Sequence, residues 1–254
     1  MLAHPARSML CHCLLIEAPG GLILVDTGLG VRQIAEAQSE IGFLFRTFVR
    51  PKLDLGETAF HQVKKLGFSP SDVRDVILTH LDIDHAGGIP DFPWARIHVS
   101  SAEHASAVVS TGKTVPMRFH RYRASLWSHE VNWVNHEAAL DTWFNFHGAS
   151  KLKGLPPEIL LIPLPGHTLG HCGVAVKTDS GWLLHAGDSY FFEGEMGFGR
   201  ARGTLGLNLF QRIFEVDRSA RLQHQAKLRT LFESERSIRI FCSHDPLEFK
   251  QCIS

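Results

Sequence analysis

The sequence is poor in cysteine, has no net charge and contains no long hydrophobic run. Its five cysteines in 254 residues are too sparse for a disulfide framework, so we expect a reducing, cytoplasmic setting. Twenty-six basic and 26 acidic residues cancel, which argues against nucleic acid or an anionic membrane as a partner. No apolar run approaches the roughly 18 to 20 residues that cross a bilayer. We therefore expect a small-molecule substrate with an apolar portion, and a homodimer is left open.

A content of 44% hydrophobic and 20% charged residues is sufficient for one large globular domain over residues 1–254. Short apolar runs alternate with segments of helical spacing, which predicts an α/β fold. The aromatic-rich stretch 111–157 interrupts this alternation, and we interpret it as an insertion in the same domain. The predicted strands are 13–16, 22–25, 73–79, 97–99, 159–162, 172–177, 182–186 and 238–242. Helices are predicted over 56–66 and 205–232, and a further helix begins at Ser100 or Ser101.

Histidine, in contrast, is abundant, with 16 copies. The strongest motif is Thr79-His80-Leu81-Asp82-Ile83-Asp84-His85, which follows a predicted buried strand directly. Four imidazole or carboxylate ligands within six residues can converge on one ion of zinc, iron or manganese, and a solvated polar loop is the alternative. Three more candidate ligands lie at the ends of later predicted strands, and these are His167, Asp188 and His244.

Five motifs occur in a recognisable order between about Cys13 and His244. They are Val25-Asp26-Thr27-Gly28, the His80 to His85 motif, Leu164-Pro165-Gly166-His167, Ala186-Gly187-Asp188-Ser189 and Cys242-Ser243-His244-Asp245. In this the sequence resembles the metallo-β-lactamase fold hydrolases, the superfamily of glyoxalase II, the acyl-homoserine lactonases and the alkylsulfatases. The resemblance implies a four-layer αβ/βα sandwich of two mixed sheets flanked by helices.

The resemblance also implies a centre of two divalent metal ions, with zinc favoured and manganese or iron as alternatives. It implies that a hydroxide bridging the metals hydrolyses an ester or lactone such as an acyl-homoserine lactone, with Asp84 or Tyr190 handling the proton. Packing is the alternative role for Tyr190. By position in the motifs, the resemblance implies His80, Asp82 and His167 as ligands of the first metal and Asp84, His85 and His244 as ligands of the second. Asp188 would bridge the two metals. Asp26 would support the loop that carries His80 to His85.

The motif departs from the usual family pattern at Asp82, where most relatives have histidine and some flavodiiron relatives have glutamate. A third carboxylate lowers the charge of a two-metal centre by one. This predicts a weaker Lewis acid and a higher pKa for the bridging water than in a histidine-loop relative. An oxygen ligand in place of nitrogen also favours harder ions such as manganese or iron modestly.

Several alternatives stay open at the level of sequence. The protein could catalyse redox chemistry, as in a diiron oxygen reductase or a mononuclear iron sulfur dioxygenase. It could instead hydrolyse a thioester, a phosphoester or a sulfate ester. A third alternative is a protein that binds metal without catalysing a reaction. His171 and His185 are expected to support ligands or to pack in the core. The aromatic residues Phe43, Phe45, Phe48 and those of 127–146 could form an apolar acyl-binding pocket or pack in the core.

Overall fold

The computed structural model describes residues 10–111, 121–197 and 205–253, and the chain divides into two compact units. One unit comprises residues 13–136, and the other comprises residues 1–12 together with 137–254. Part of the predicted insertion, residues 112–120, lies outside the described residues. The assignment of a single domain stays a prediction.

The unit of residues 13–136 contains a five-stranded sheet in the order β1-β2-β3-β4-β5 among its described residues. The first two strands form an antiparallel hairpin, and β2 to β5 run parallel to one another. The strands are β1 (Leu14–Ala18), β2 (Gly21–Val25), β3 (Val73–Ile77), β4 (Arg96–Ser100) and β5 (Asn132–His136), and the helices are α1 (Val31–Ala35), α2 (Ala37–Glu40), α3 (Phe43–Phe48), α4 (Ala59–Lys65), α5 (Ile83–Ala86) and α6 (Ser101–Thr111).

The core of this unit lies on one face of its sheet, because alternate residues of a strand point to opposite faces. Leu24, Val76 and Ile97 are buried there in one cluster with Ala59 and Val63 of α4. Burial of this apolar area is the main favourable contribution to the stability of the unit.

The opposite face of the same sheet carries a buried polar network. The Asp75 carboxylate accepts two hydrogen bonds from the Arg96 guanidinium, at 2.7 and 3.0 Å, and contacts His98 Nε2 at 2.9 Å. His98 Nδ1 lies 2.9 Å from His136 Nε2. Buried polar groups require such partners, and this network supplies them within one unit.

The unit of residues 1–12 and 137–254 contains the second five-stranded sheet, in the order β12-β11-β10-β9-β8, and a short hairpin of β6 and β7. Leu228 and Leu231 of α8 pack against Ile238 and Ile240 of the edge strand in one buried cluster. The strands are β6 (Thr142–Trp143), β7 (Phe146–His147), β8 (Ser150–Lys151), β9 (Ile159–Pro163), β10 (Cys172–Thr178), β11 (Gly181–His185) and β12 (Ile238–Phe241), and the helices are α7 (Leu205–Phe214), α8 (Arg218–Ser234) and α9 (Pro246–Ile253).

The predicted α/β class with two mixed sheets flanked by helices is confirmed. The stretch 111–157 has a role that the sequence analysis did not anticipate, because it supplies an outer strand to each sheet, β5 to one and β8 to the other. Its aromatic residues divide accordingly. Trp127 and Trp133 pack against the first core, while Trp143 and Phe146 are buried in the second. Among the described residues, no helix has the length and hydrophobicity that crossing a membrane requires.

Candidate metal-binding site

The segment of residues 79–85 in the first unit, called the metal loop because it carries four candidate ligands, is held by Asp26, which follows β2 directly. Asp26 is buried, and its φ of 55° lies in the left-handed region that Asp and Asn adopt more readily than most residues. Its carboxylate accepts the backbone N–H and the hydroxyl of Thr79, both at 2.8 Å, and the Nδ1–H of His85 at 2.9 Å. Asp26 therefore ties the end of β3 to helix α5, in the supporting position that the sequence predicts for it.

The hydrogen bonds of this loop determine which nitrogen of each histidine carries the lone pair. The Thr79 hydroxyl donates its proton to Asp26, so it accepts from His80 Nδ1 at 3.0 Å. His85 Nδ1 likewise donates to Asp26. Both imidazoles therefore have Nε2 as the atom with the lone pair, and neutral imidazole with a supported N–H is the usual form of a metal ligand.

The carboxylates of the loop lie beside these Nε2 atoms. Asp82 Oδ2 is 3.4 Å from His80 Nε2, and Asp84 Oδ2 is 3.9 Å from His85 Nε2. Two ligands of a tetrahedral zinc ion with bonds of about 2.0 Å are roughly 3.3 Å apart. The donor atoms of this unit thus have the chemistry and the approximate spacing of zinc ligands.

Asp82 has a partner that the sequence analysis missed. Arg121 donates to both oxygens of the Asp82 carboxylate, from Nε to Oδ1 and from Nη2 to Oδ2. Arg121 belongs to the same unit but is 39 residues further along the chain, and 9% of its side chain is exposed. Nothing in the local sequence distinguishes Arg121 from the other arginines, so only the tertiary structure reveals this pair.

Glu103 is a second supporting residue that was missed. It is fully buried near the start of α6, and its Oε1 accepts the backbone N–H of Leu81 at 3.0 Å and the hydroxyl of Tyr122 at 3.1 Å. Burial and the neighbouring carboxylates of Glu103 and Asp82 raise the pKa of Tyr122, so the phenol stays a donor. An acidic residue in the first turn of a helix is common, but Glu103 also fixes the backbone between His80 and Asp82.

The second unit brings His167, Asp188 and His244 together. Asp188 follows β11 and His244 follows β12, two parallel strands whose carboxyl ends lie at the same edge of the sheet. Asp188 Oδ2 is 3.5 Å from His167 Nε2, and Asp188 Oδ1 is 3.1 Å from His244 Nε2. His244 Nδ1 donates to the Leu10 carbonyl at 2.6 Å, and its Nε2 also lies 3.2 Å from Asp188 Oδ2. The Asp188 carboxylate thus lies against both histidines.

His171 and His185, expected to support ligands or to pack in the core, both hydrogen-bond to the backbone of this unit. His171 Nδ1 donates to the Leu164 carbonyl at 2.9 Å, and its Nε2 accepts the backbone N–H of Asp188 at 2.9 Å. His185 is buried and donates from Nε2 to the His12 carbonyl at 3.1 Å. His185 Nδ1 also accepts the backbone N–H of Gly187 at 3.2 Å, so both histidines orient the backbone around Asp188.

Gly166 has a φ of 140°, and a Cβ there would lie 2.3 Å from the backbone nitrogen of Arg221. Only glycine permits this close approach between the His167 loop and α8. The glycine of the Leu164-Pro165-Gly166-His167 motif is thus part of what places His167.

Tyr190 lies in the core of the second unit. It is fully buried, and its hydroxyl donates to Glu248 Oε1 at 2.8 Å. Burial and the nearby Glu248 carboxylate raise the pKa of Tyr190 well above its ordinary value. These contacts favour the packing alternative over proton transfer. The side chain that lies against the ligands is the next one, Phe191, whose ring stacks on His244 at 5.0 Å and carries no hydroxyl.

The aromatic residues that the sequence assigned to a pocket or to core packing differ in their surroundings. Phe43 is 70% exposed, and the tryptophans of 127–146 pack against the two cores as described above. Another aromatic cluster begins at the candidate ligand His244 of the second unit. Phe191 contacts Phe210 of α7 at 5.9 Å between ring centroids, and Phe210 contacts Phe214 at 4.5 Å.

The sequence as a whole matches the family model of the metallo-beta-lactamase superfamily over residues 7–231. The chain therefore belongs to this superfamily, and it is a metallo-hydrolase of that fold by family. A probable metallo-hydrolase of Mycobacterium tuberculosis is 37% identical to it over 94% of this chain and 76% of the relative. An N-acyl homoserine lactonase of a Bacillus species is 28% identical over 80% of this chain and 75% of the relative.

Solved structures support the same fold. The structure of an N-acyl homoserine lactone hydrolase, with the product N-hexanoyl-L-homoserine at its catalytic metal centre, matches with a TM-score of 0.68. The match covers 94% of this chain and 83% of the other at 22% identity. At this identity the likeness establishes the fold and leaves the substrate open.

Proposed function

We propose that this protein is a metal-dependent hydrolase of an ester or lactone, with an acyl-homoserine lactone as a candidate substrate. Its proposed ligands for two divalent ions are His80, Asp82, Asp84, His85, His167, Asp188 and His244. Zinc suits this set of imidazole and carboxylate donors, and manganese or iron are the alternatives. Bound ions of this kind supply Lewis-acid polarisation of a carbonyl oxygen and activation of water.

The observation that carries the proposal is the orientation of three histidines. His80, His85 and His244 each donate from Nδ1 to a defined acceptor, namely Thr79, Asp26 and the Leu10 carbonyl. As neutral imidazoles they would each turn the Nε2 lone pair toward a metal, and a carboxylate oxygen lies within 3.1 to 3.9 Å of each of these nitrogens. Three histidines held through Nδ1 beside carboxylates support metal ligation over a solvated polar loop.

An apolar portion of the substrate is supported by the second unit. Phe191 stacks on His244, and the cluster of Phe191, Phe210 and Phe214 extends from that ligand. An aromatic wall beside a polar reaction site is typical of pockets for ligands with one apolar and one reactive end. The lactonase relatives are consistent with this substrate class.

The proton-transfer role is proposed for Asp84 rather than Tyr190. The side chain of Asp84 is partly accessible, at 16% exposed, whereas the hydroxyl of Tyr190 is engaged by Glu248 in the core. The chain contains only two tyrosines, and the hydroxyl of the other, Tyr122, is bound to Glu103. A carboxylate beside the reacting group is a competent general acid or base.

The test combines metal analysis of the purified protein with a screen of lactones, esters, thioesters, phosphoesters and sulfate esters. We expect two equivalents of divalent metal per chain and hydrolysis of lactones or esters. His244→Ala should abolish the hydrolysis by removing a ligand. His147→Ala is the matched control, because His147 is an exposed histidine of the same unit whose Nδ1 contacts Thr142.

Two results would contradict the proposal. The first is bound iron with consumption of dioxygen and no hydrolysis, which would place the protein among the redox enzymes of this superfamily. The second is equal hydrolysis by the His244→Ala and His147→Ala variants, because a ligand cannot be dispensable.

A further inference from the structure

The ion pair of Asp82 and Arg121 is unusual in its position. It is buried, with 13% of the Asp82 side chain and 9% of the Arg121 side chain exposed, and the guanidinium engages both carboxylate oxygens. One of these oxygens, Oδ2, is the atom that lies 3.4 Å from His80 Nε2. The same oxygen thus faces a fixed internal cation and a proposed metal ligand.

The pair removes the net charge that Asp82 brings to the loop. Arginine stays protonated in proteins, so the carboxylate and the guanidinium together are neutral. Histidine, which the resembled family has at this position, is also neutral as a ligand. The exchange of histidine for aspartate is therefore compensated within the same unit by a residue far along the chain.

We propose that Arg121 is a positioning residue that acts as the internal counter-charge of Asp82, stabilising the metal loop without metal and limiting the strength with which the loop binds cations. The inference rests on the proposed function only in assuming that Asp82 lies at a metal site. An arginine that shares its carboxylate with a metal ion draws electron density from that carboxylate and repels the ion, so it lowers metal affinity.

This role predicts that removal of the Arg121 charge lowers the stability of the metal-free protein and raises its affinity for metal. Arg121→Met leaves a buried carboxylate without a counter-charge, which destabilises the metal-free protein. A divalent cation can compensate the same carboxylate, so the variant should bind metal more tightly. At an effective dielectric constant of about 20, a unit charge near a divalent ion alters affinity by about tenfold or more. An arginine that only anchors its own segment would give the opposite result, because its loss would lower stability and affinity together.

The experiment measures Zn²⁺ affinity of the full chain by competition with a chromophoric chelator at one pH and ionic strength, and thermal unfolding with and without Zn²⁺. We expect Arg121→Met to bind Zn²⁺ at least about tenfold more tightly and to gain more thermal stability from Zn²⁺ than the unmodified protein. Arg121→Lys keeps the charge but loses the two-oxygen contact, so its Zn²⁺ affinity should lie closer to that of the unmodified protein than to that of Arg121→Met. If the Met variant does not fold, Arg121→Gln tests the same direction, because glutamine retains a donor but has no charge.

Arg96→Met is the matched control. Arg96 forms the same two-bond contact with a carboxylate, Asp75, in the same unit but outside the metal loop, so its loss should leave Zn²⁺ affinity unchanged. Equal or weaker Zn²⁺ binding by the folded neutral variants overturns the inference. If the unmodified protein binds Zn²⁺ but hydrolyses no substrate, the proposed function is wrong. The inference about Arg121 is then still decided by the Zn²⁺ affinities of the variants. If the unmodified protein binds no metal, both are wrong.

Discussion

The substitution Asp26→Asn provides the sharpest test of how the first unit prepares its ligands. The change preserves shape and backbone, because asparagine tolerates the φ of 55° that Asp26 adopts. It replaces one of two acceptor oxygens by an amide donor. The remaining oxygen can keep the backbone N–H of Thr79, which lies at 2.8 Å. The amide group then faces two donors, the Thr79 hydroxyl and His85 Nδ1–H.

The magnitude follows from what the loop must do to avoid these contacts. If His85 moves its proton to Nε2, Nδ1 becomes an acceptor for the amide, but the lone pair is lost from the atom proposed to bind metal. If the Thr79 hydroxyl instead rotates to accept a hydrogen bond from the new amide, its contact with His80 Nδ1 changes and His80 loses its present support. Hydrogen bonds to charged groups contribute about 1.5 to 3 kcal/mol each. Loss of a group that supports a metal ligand costs about 10- to 100-fold in affinity, or about 1.4 to 2.7 kcal/mol.

We therefore expect Asp26→Asn to weaken Zn²⁺ binding by about 10- to 100-fold, measured by chelator competition. Asp75→Asn is the matched control, because Asp75 is a buried carboxylate of the same sheet that contacts an arginine and a histidine away from the metal loop. It should lower the free energy of unfolding and leave Zn²⁺ affinity unchanged. The reasoning is refuted if folded Asp26→Asn binds Zn²⁺ within about twofold of the unmodified protein, or if Asp75→Asn weakens binding equally.

Two further predictions concern the core of the second unit. Burial raises the pKa of Glu248 from 4.5 to about 7, although the hydrogen bonds from Cys242 and Tyr190 act to lower it. Between these two pH values the folded state keeps a proton that the unfolded state releases. The free energy of unfolding should consequently fall by about 3 kcal/mol as pH rises from the unfolded pKa through the folded one. Glu248→Gln should abolish this decrease in urea unfolding at a series of pH values, and an unchanged pH dependence would contradict the assignment. Tyr190→Phe should lower the free energy of unfolding by about 1 to 2 kcal/mol and leave the hydrolysis rate within about twofold, whereas a large loss of kcat in the folded variant would restore Tyr190 as a catalytic residue.

The sequence predicts most strands and the candidate ligands because both depend on local patterns. Short apolar runs mark β9 and β10, and the candidate ligands lie in the segments that follow predicted strands. Since the carboxyl ends of parallel strands share one sheet edge, Asp188 and His244 are close as a consequence of β11 pairing with β12.

The supporting residues could not be predicted in the same way, because they act over long separations in the chain. Glu103 accepts the backbone N–H of Leu81 from 22 residues away, and Arg121 reaches Asp82 from 39 residues away. Side-chain direction beyond a strand end is a related difficulty. The period of two that orients strand residues does not continue through Asp188 to Phe191. It therefore could not show that Tyr190 faces the core while Phe191 lies on His244.

These long-range contacts change the electrostatic interpretation of the metal loop. Counting ligands alone, a third carboxylate makes the proposed centre less positive by one charge and predicts a weaker Lewis acid. Arg121 returns that charge at the Asp82 carboxylate itself. What then distinguishes Asp82 from the histidine of most relatives is the donor atom, oxygen in place of nitrogen, and the preference for harder ions that oxygen confers. Removing Arg121 should recover the electrostatic behaviour of an uncompensated third carboxylate, so the Arg121→Met variant also tests the expectation that the sequence alone suggested.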